Sequence, residues 1–300
     1  MALINPESLQ HTAPLFAVVA AGAALLEFLL RRFVTRQGYD SHAALASLGV
    51  AAGQIVSNGL SGLAIGALFG AVYALTPLRL PVDAWWSWAL LFVAVEFLYY
   101  WQHRLSHEVY WLWATHSVHH TPEELTFPAA SRLGWTGLIS GLWVFFVPAV
   151  ALGWRPEAVA AVLALNLRFQ YFLHTELVGR LGPLEGVLNT PSAHRVHHAS
   201  NPIYIDRNFG GVLLIFDRLF GTYQAERRDE ACRYGLTEAV KSHNPFVIAT
   251  AEWVRLLKAM TRAGSPGRAL RIAAGYPGRR PNARPAPGPS EARYPPNRAA

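Results

Sequence analysis

The sequence predicts an all-α, integral-membrane helical bundle of about four to five passes or re-entrant segments, carrying a cytosolic helical cap that holds a di-metal site. Three observations carry this. The 300 residues are 52% hydrophobic and only 15% charged, too apolar for an ordinary soluble domain. Long apolar runs are nearly free of charge. Nine of the twelve histidines lie between or after those runs, eight of them at helical spacing.

The first run, Thr12 to Leu30, holds one charge, Glu27, and the second, Leu48 to Leu75, holds none. About 20 helical residues span about 30 Å of hydrocarbon, so both can cross. The third run, Trp85 to Tyr100, holds only Glu96 and crosses if Val82 to Trp101 is counted. Trp85, Trp86, Trp88, Tyr99, Tyr100 and Trp101 bracket it as an aromatic belt. Leu138 to Leu152 and Glu157 to Leu173 suggest a hairpin pair around Gly153-Trp-Arg-Pro156. Gly62, Gly66 and Gly70 place small residues at i+4 spacing, which suits close helix approach as readily as it reflects the tolerance of membrane helices for glycine.

Basic residues orient the bundle. None precedes Thr12, whereas Arg31, Arg32 and Arg36 follow the first run, so the N-terminus is expected outside and every histidine cluster on the cytoplasmic side. The first run is expected to be an uncleaved anchor. The location is therefore a multi-pass membrane, the inner membrane of a bacterium or the endoplasmic reticulum of a eukaryote. Three regions follow: membrane helices over 1–80, a histidine-rich catalytic region over 81–245, and a helix with a basic tail over 246–300. From Arg262 onward eight arginines and many prolines face one acid, Glu291, a composition that cannot bury a core. The net charge of +7 is concentrated there, and no nucleic-acid partner is expected.

The histidines are His103 and His107, His116-Ser-Val-His119-His120, His174, and His194-Arg-Val-His197-His198. Spacings of i, i+3 and i+4 place side chains on one helix face, so each cluster is expected to offer two or three imidazoles to a common point. A single histidine is usually a hydrogen-bonded core residue, but repeated HxxHH triplets point to metal ligation. Cys232 is the only cysteine, which excludes a cysteine-based zinc site. Ring orientation should come from nearby hydrogen-bonding groups. Glu96, Glu108, Glu176, Asp206 and Asp217 are candidates, with Glu96 foremost as an ionisable group near a membrane boundary. Gln170 lies one turn before His174. Asn208-Phe-Gly-Gly211 lacks the lysine and helix of a phosphate loop.

His103 through His107, His116 through His120 and His194 through His198 together resemble the boxes of the fatty acid hydroxylase and sterol desaturase superfamily of membrane di-iron oxygenases. The runs Leu188 to His198, Asn208 to Gly211, Asp217 to Thr222 and Tyr234 to Leu236 are most similar to its sterol desaturase and alkylglycerol monooxygenase branch, with similarity covering roughly 85–245. The resemblance implies two iron ions held by the nine histidines, dioxygen as co-substrate, and hydroxylation or desaturation of a sterol, fatty acyl chain or ether lipid drawn from the bilayer. It also implies an external reductant, either a separate electron-donor protein or a reduced pterin. The stretch Phe127 to Trp135 departs from the polar sequence expected after the second box. Two rival readings remain: a zinc-dependent membrane hydrolase, and a metal transporter or metal-binding membrane protein.

Overall fold

The computed structural model describes residues 6–278, and the side chains of residues 12–278. Ser41–Leu75 forms one uninterrupted helix of 35 residues, labelled α2, started by the Asp40 carboxylate accepting from the amides of His42 and Ala43 at 2.9 Å each. Before it, α1 (Pro6–Leu29) runs into a π turn over Leu30–Val34. Both are long and apolar enough to cross a membrane, and only 11% and 6% of their apolar windows are buried. Lipid is the solvent such surfaces require.

The remaining helices are shorter: α3 (Trp85–Glu108), α4 (Tyr110–His116) leading into a 3-10 turn (Ser117–His120), α5 (Phe127–Ala130), α6 (Gly137–Ser140), α7 (Val147–Ala151), α8 (Pro156–Tyr171), α9 (Pro191–His198), α10 (Ile215–Leu219), α11 (Pro245–Thr261) and α12 (Pro266–Ala274). Among the described residues there is no strand, only three isolated bridges. Leu91, Val95 and Tyr99 of α3 pack against Ala149 and Val150 of α7 and Val159 and Val162 of α8, and the Trp154 indole donates to Ser87 Oγ at 3.1 Å. This apolar wedge holds the C-terminal end of α3, and with it His103 and His107, against the rest of the site.

The hairpin pair around Gly153 forms, from short members. Gly141 takes a left-handed φ of 80° and breaks the first member into α6, a 3-10 turn (Leu142–Phe146) and α7. The 16 residues of α8 reach only about 24 Å, short of the hydrocarbon thickness. The chain after Arg262 does not begin as an unpacked tail. Ser265 caps α12 by accepting from the Arg268 amide, Pro266 takes its first position, and Ile272 and Ala273 pack on Ala114, Trp253 and Leu256. Ala269, Ile272 and Ala273 supply the helical stripe that arginine and proline content obscures. The tail beyond Gly278 lies outside the described residues.

Candidate metal centre

Four segments bring the nine histidines together: the last turn of α3, the α4 end with its 3-10 turn, the turn after α8, and α9. They divide into two groups. His103, His107, His116, His120 and His197 have ligand nitrogens within 4.8 Å of one another, and so do His119, His174, His194 and His198. The groups adjoin, with the His120 and His198 rings stacked at 4.4 Å between centroids.

Each HxxHH triplet offers two imidazoles, not three, to a common point. In each triplet the i and i+4 rings enter one group and the i+3 ring crosses to the other: His116 and His120 against His119, and His194 and His198 against His197. On α9 neighbouring residues diverge by about 100°, which separates His197 from His198, while His194 and His198 differ by only about 40°; in the second box the 3-10 turn over Ser117–His120 accompanies the same division. An HxxHH triplet therefore joins two adjacent sites.

Hydrogen bonding fixes the rings. Nδ1 of His103 donates to the Phe209 carbonyl at 2.8 Å, His119 to Arg132 at 3.1 Å, His174 to Gln170 at 2.8 Å, and His197 to Arg207 at 3.0 Å. A carbonyl only accepts, so each of these neutral rings keeps a lone pair on Nε2. Yet His119 Nε2 and His174 Nε2 lie 3.2 Å apart, lone pair facing lone pair. The Nε2 atoms of His107 and His197 are buried with no hydrogen-bond partner. A cation between such nitrogens resolves both conflicts. The spacing also fits: nitrogens about 2.1 Å from one ion stand about 3.0 Å apart at a right angle and about 3.4 Å apart at the tetrahedral angle. The Nε2 contacts of His116 with His103 and His120, and of His194 with His174 and His198, are 3.0–3.2 Å.

Eight of the rings are kept neutral. Burial pushes His103, His116, His120, His174, His194, His197 and His198 well below the ordinary histidine value, with neighbouring imidazoles adding to the effect. Burial brings His119 down to about 4 against the opposing bond to Arg132. Neutral imidazole is the ligating form.

The residues proposed to orient these rings take different places. Gln170 holds His174 through its main-chain carbonyl, while its side-chain amide accepts from Tyr99 at 3.1 Å and donates to Asn166 at 2.6 Å. Glu96 accepts from Asn166 and from the amides of Val212 and Leu213 at 2.8 Å each, so it fixes the 208–213 loop. Asp217 accepts from the Phe209 and Gly210 amides at 2.7 and 2.8 Å, directly behind the carbonyl that receives His103. Asp206, at a left-handed φ of 58°, faces His107 Nδ1 at 3.5 Å and accepts from the Tyr276 hydroxyl. Glu176 accepts from Leu125 N and pairs with Arg31, whereas Glu108 pairs with Arg104 away from the rings. The two glycines after Phe209 permit the tight path of this loop, since a Cβ at Gly210 would strike the Leu213 carbonyl and one at Gly211 the Asn166 amide.

Sequence reasoning passed over several contributors. Asn189 donates to the Gly210 carbonyl at 2.8 Å beside His194, and Asn166 links Glu96 to Gln170. Glu27, buried in α1, accepts from Thr175 Oγ1 at 2.6 Å and Phe127 N at 2.7 Å, next to His174. Its signal was available as the sole charge in the first apolar run. A cavity of about 230 Å³ opens onto His107, His120, His197 and His198, walled by Trp113 and Tyr276 among others.

Comparison with known proteins places this arrangement. The model of the fatty acid hydroxylase family matches residues 88–222, a stretch that contains all nine histidines. The histidine-bearing region of the chain is thus similar to the fatty acid hydroxylase family. It is 43% identical over 171 residues to an alkylglycerol monooxygenase of Xenopus tropicalis, which is 57% of this chain and 37% of that protein. It is 47% identical over 163 residues to that of Danio rerio, 54% and 36% of the two chains. An ornithine lipid hydroxylase of Rhizobium tropici is 29% identical over 148 residues, 49% of this chain and 45% of that one. The chain thus spans little more than a third of the length of these alkylglycerol monooxygenases. No solved structure matches.

Proposed function

We propose that this protein is a membrane-embedded di-iron oxygenase that inserts oxygen into, or desaturates, a C–H-rich segment of a membrane lipid. The observation that carries the reading is the division of nine imidazoles into adjoining groups of five and four with opposed or unpartnered Nε2 atoms. Iron fits an all-imidazole donor set and, unlike zinc, has the redox chemistry needed to activate dioxygen. In hydroxylation, one C–H bond, dioxygen, two electrons and two protons give one C–OH and one water. Desaturation removes two hydrogens and releases two waters. The electrons come from an external reductant, a redox protein or a reduced pterin.

The chain's own residues prepare the site for this chemistry. Main-chain carbonyls of Phe209, Arg132, Gln170 and Arg207 hold the rings with Nε2 inward. Burial keeps those nitrogens unprotonated. Glu96, Asp217, Asn166 and Asn189 hold the loop that supplies the His103 and His197 partners. The apolar helices α1 and α2 would set the centre beside the bilayer, and the cavity that opens onto His107, His120, His197 and His198 gives reactants an approach to it. The relatives' names point to substrates with a polar glycerol or amino-acyl head and a long alkyl chain.

The test uses iron-loaded protein in lipid nanodiscs with an alkylglycerol, an ornithine lipid or a free fatty acid, a chemical reductant and isotopically labelled dioxygen. Label in the lipid is expected from a hydroxylase, and label in water with loss of two hydrogens from a desaturase. Undiminished turnover without oxygen would overturn the proposal in favour of a zinc hydrolase.

A further inference from the structure

Helix α11 has two apolar faces. Ile248, Ala249, Trp253 and Leu256 are buried against α2, α4 and α12. Phe246 is 70% exposed, and Val247, Val254 and Leu257 are 44–48% exposed. At 100° per residue these four fall within a sector of about 100°, with exposed Lys258 and Arg262 along one of its edges. Leu270 of α12 is 67% exposed, beside Arg268 and Arg271, which are also exposed. A helix apolar on both sides and bordered by cations has the cross-section of one lying in a membrane interface, where basic side chains reach anionic headgroups.

The seat of α11 on α2 gives the depth. Pro245 lies against Gly49, Ile248 packs on Ala46 and Val50, and the Phe246 ring stands 5.1 Å from Trp135, whose indole donates to the Val50 carbonyl at 2.8 Å. These are the sixth to tenth residues of α2, roughly 8–14 Å from its start. The helix is about 52 Å long against about 30 Å of hydrocarbon, so a stretch that near one end stands at headgroup level. Leu45 and Leu48 are exposed on the same stretch, continuing the apolar surface from α2 to α11. Trp135 is the residue type enriched at that level.

We infer that the outer face of α11 is a membrane-docking surface whose occupant is the bilayer interface, with Phe246, Val247, Val254 and Leu257 among the upper acyl carbons and Lys258 and Arg262 on anionic headgroups. This rests on the reading of the chain as membrane-embedded. Glu252 on the opposite side of α11 lines the cavity that opens onto the histidines. Docking therefore sets that cavity at the headgroup level, where a lipid's polar end is presented.

The experiment places a bimane label at Val254→Cys or Leu257→Cys in a Cys232→Ser background, in phosphatidylcholine–phosphatidylglycerol vesicles. Each variant is first required to keep the metal content of the parent protein. Quenching by brominated acyl chains and shielding from aqueous iodide are expected, with depths of about 5–10 Å below the headgroups. Asp229→Cys supplies the aqueous reference and Leu63→Cys, in mid-α2, the lipid reference. Lys258→Glu with Arg262→Glu should reduce the lipid quenching at position 254. Iodide access equal to that at position 229 overturns the inference. Shielding from both quenchers with disulfide cross-linking through position 254 also overturns it, giving the face to a second copy. If the label at position 63 is not quenched by lipid, it is the membrane reading itself that fails.

Discussion

Replacing Asp217 with asparagine removes one charge and almost no volume, two steps away from the histidine cluster. The carboxylate is fully buried and accepts from Phe209 N at 2.7 Å, Thr222 Oγ1 at 2.7 Å and Gly210 N at 2.8 Å. Burial pushes its pKa up, while these three donors pull it back. In Asp217→Asn the amide oxygen can keep the Phe209 and Thr222 bonds, and the amide nitrogen then faces the Gly210 N–H. One bond to a charged acceptor, about 1.5–3 kcal/mol, is lost and one buried donor is orphaned at about 1–3 kcal/mol. We expect destabilisation of about 3 kcal/mol. The displaced Phe209 carbonyl no longer fixes His103, so affinity at the five-histidine group should fall about 10–100-fold while the four-histidine group keeps its ion. Thermal unfolding and metal content after dialysis against buffered free iron measure both. Equal loss of both ions, or none, would refute the chain of contacts from Asp217 through Phe209 to His103.

Acid should destabilise the metal-free protein in a defined window. Eight of the nine histidines have folded pKa values lowered by burial, so below about pH 6.5 the unfolded chain binds protons that the folded one refuses. Stability is full above that value and declines as pH falls toward the His119 value of about 4, at roughly 1.4 kcal/mol per group per pH unit. Melting temperatures between pH 7 and 5 measure it, and a rise on acidification contradicts it. Glu27→Ala orphans Phe127 N and frees Thr175 beside His174; a loss of about 2–4 kcal/mol and a weaker four-histidine ion are expected, read by melting and metal content. Asp83→Cys and Asp229→Cys, in a background lacking Cys232, should react with an impermeant thiol reagent from opposite sides of the membrane, and labelling from one side contradicts the topology.

The sequence announced the histidines because HxxHH spacing is local, and local geometry survives without knowledge of the fold. It could not announce that His119 and His197 leave their triplet neighbours for the other group, since that depends on how α4 and α9 face each other across the centre. The long apolar helices were legible from composition, as lipid exposure demands continuous apolarity. The break of the shorter run at Gly141 was not, because a 15-residue run is apolar whether it forms one helix or several. Asn166, Asn189 and Tyr276 were invisible for the same reason: each acts through a partner distant in sequence, and a polar residue in isolation carries no mark of its partner. The packing of α12 was hidden by its setting among arginines and prolines.

The division into five and four is best tested by Mössbauer spectroscopy of protein loaded with isotopically enriched iron, together with its metal count. Two ions per chain in two environments of equal area are expected. His174→Ala should lose the ion of the four-histidine group and keep the other, and His120→Ala should show the converse. A single iron environment in the parent protein, or the same ion lost from both variants, would contradict the account.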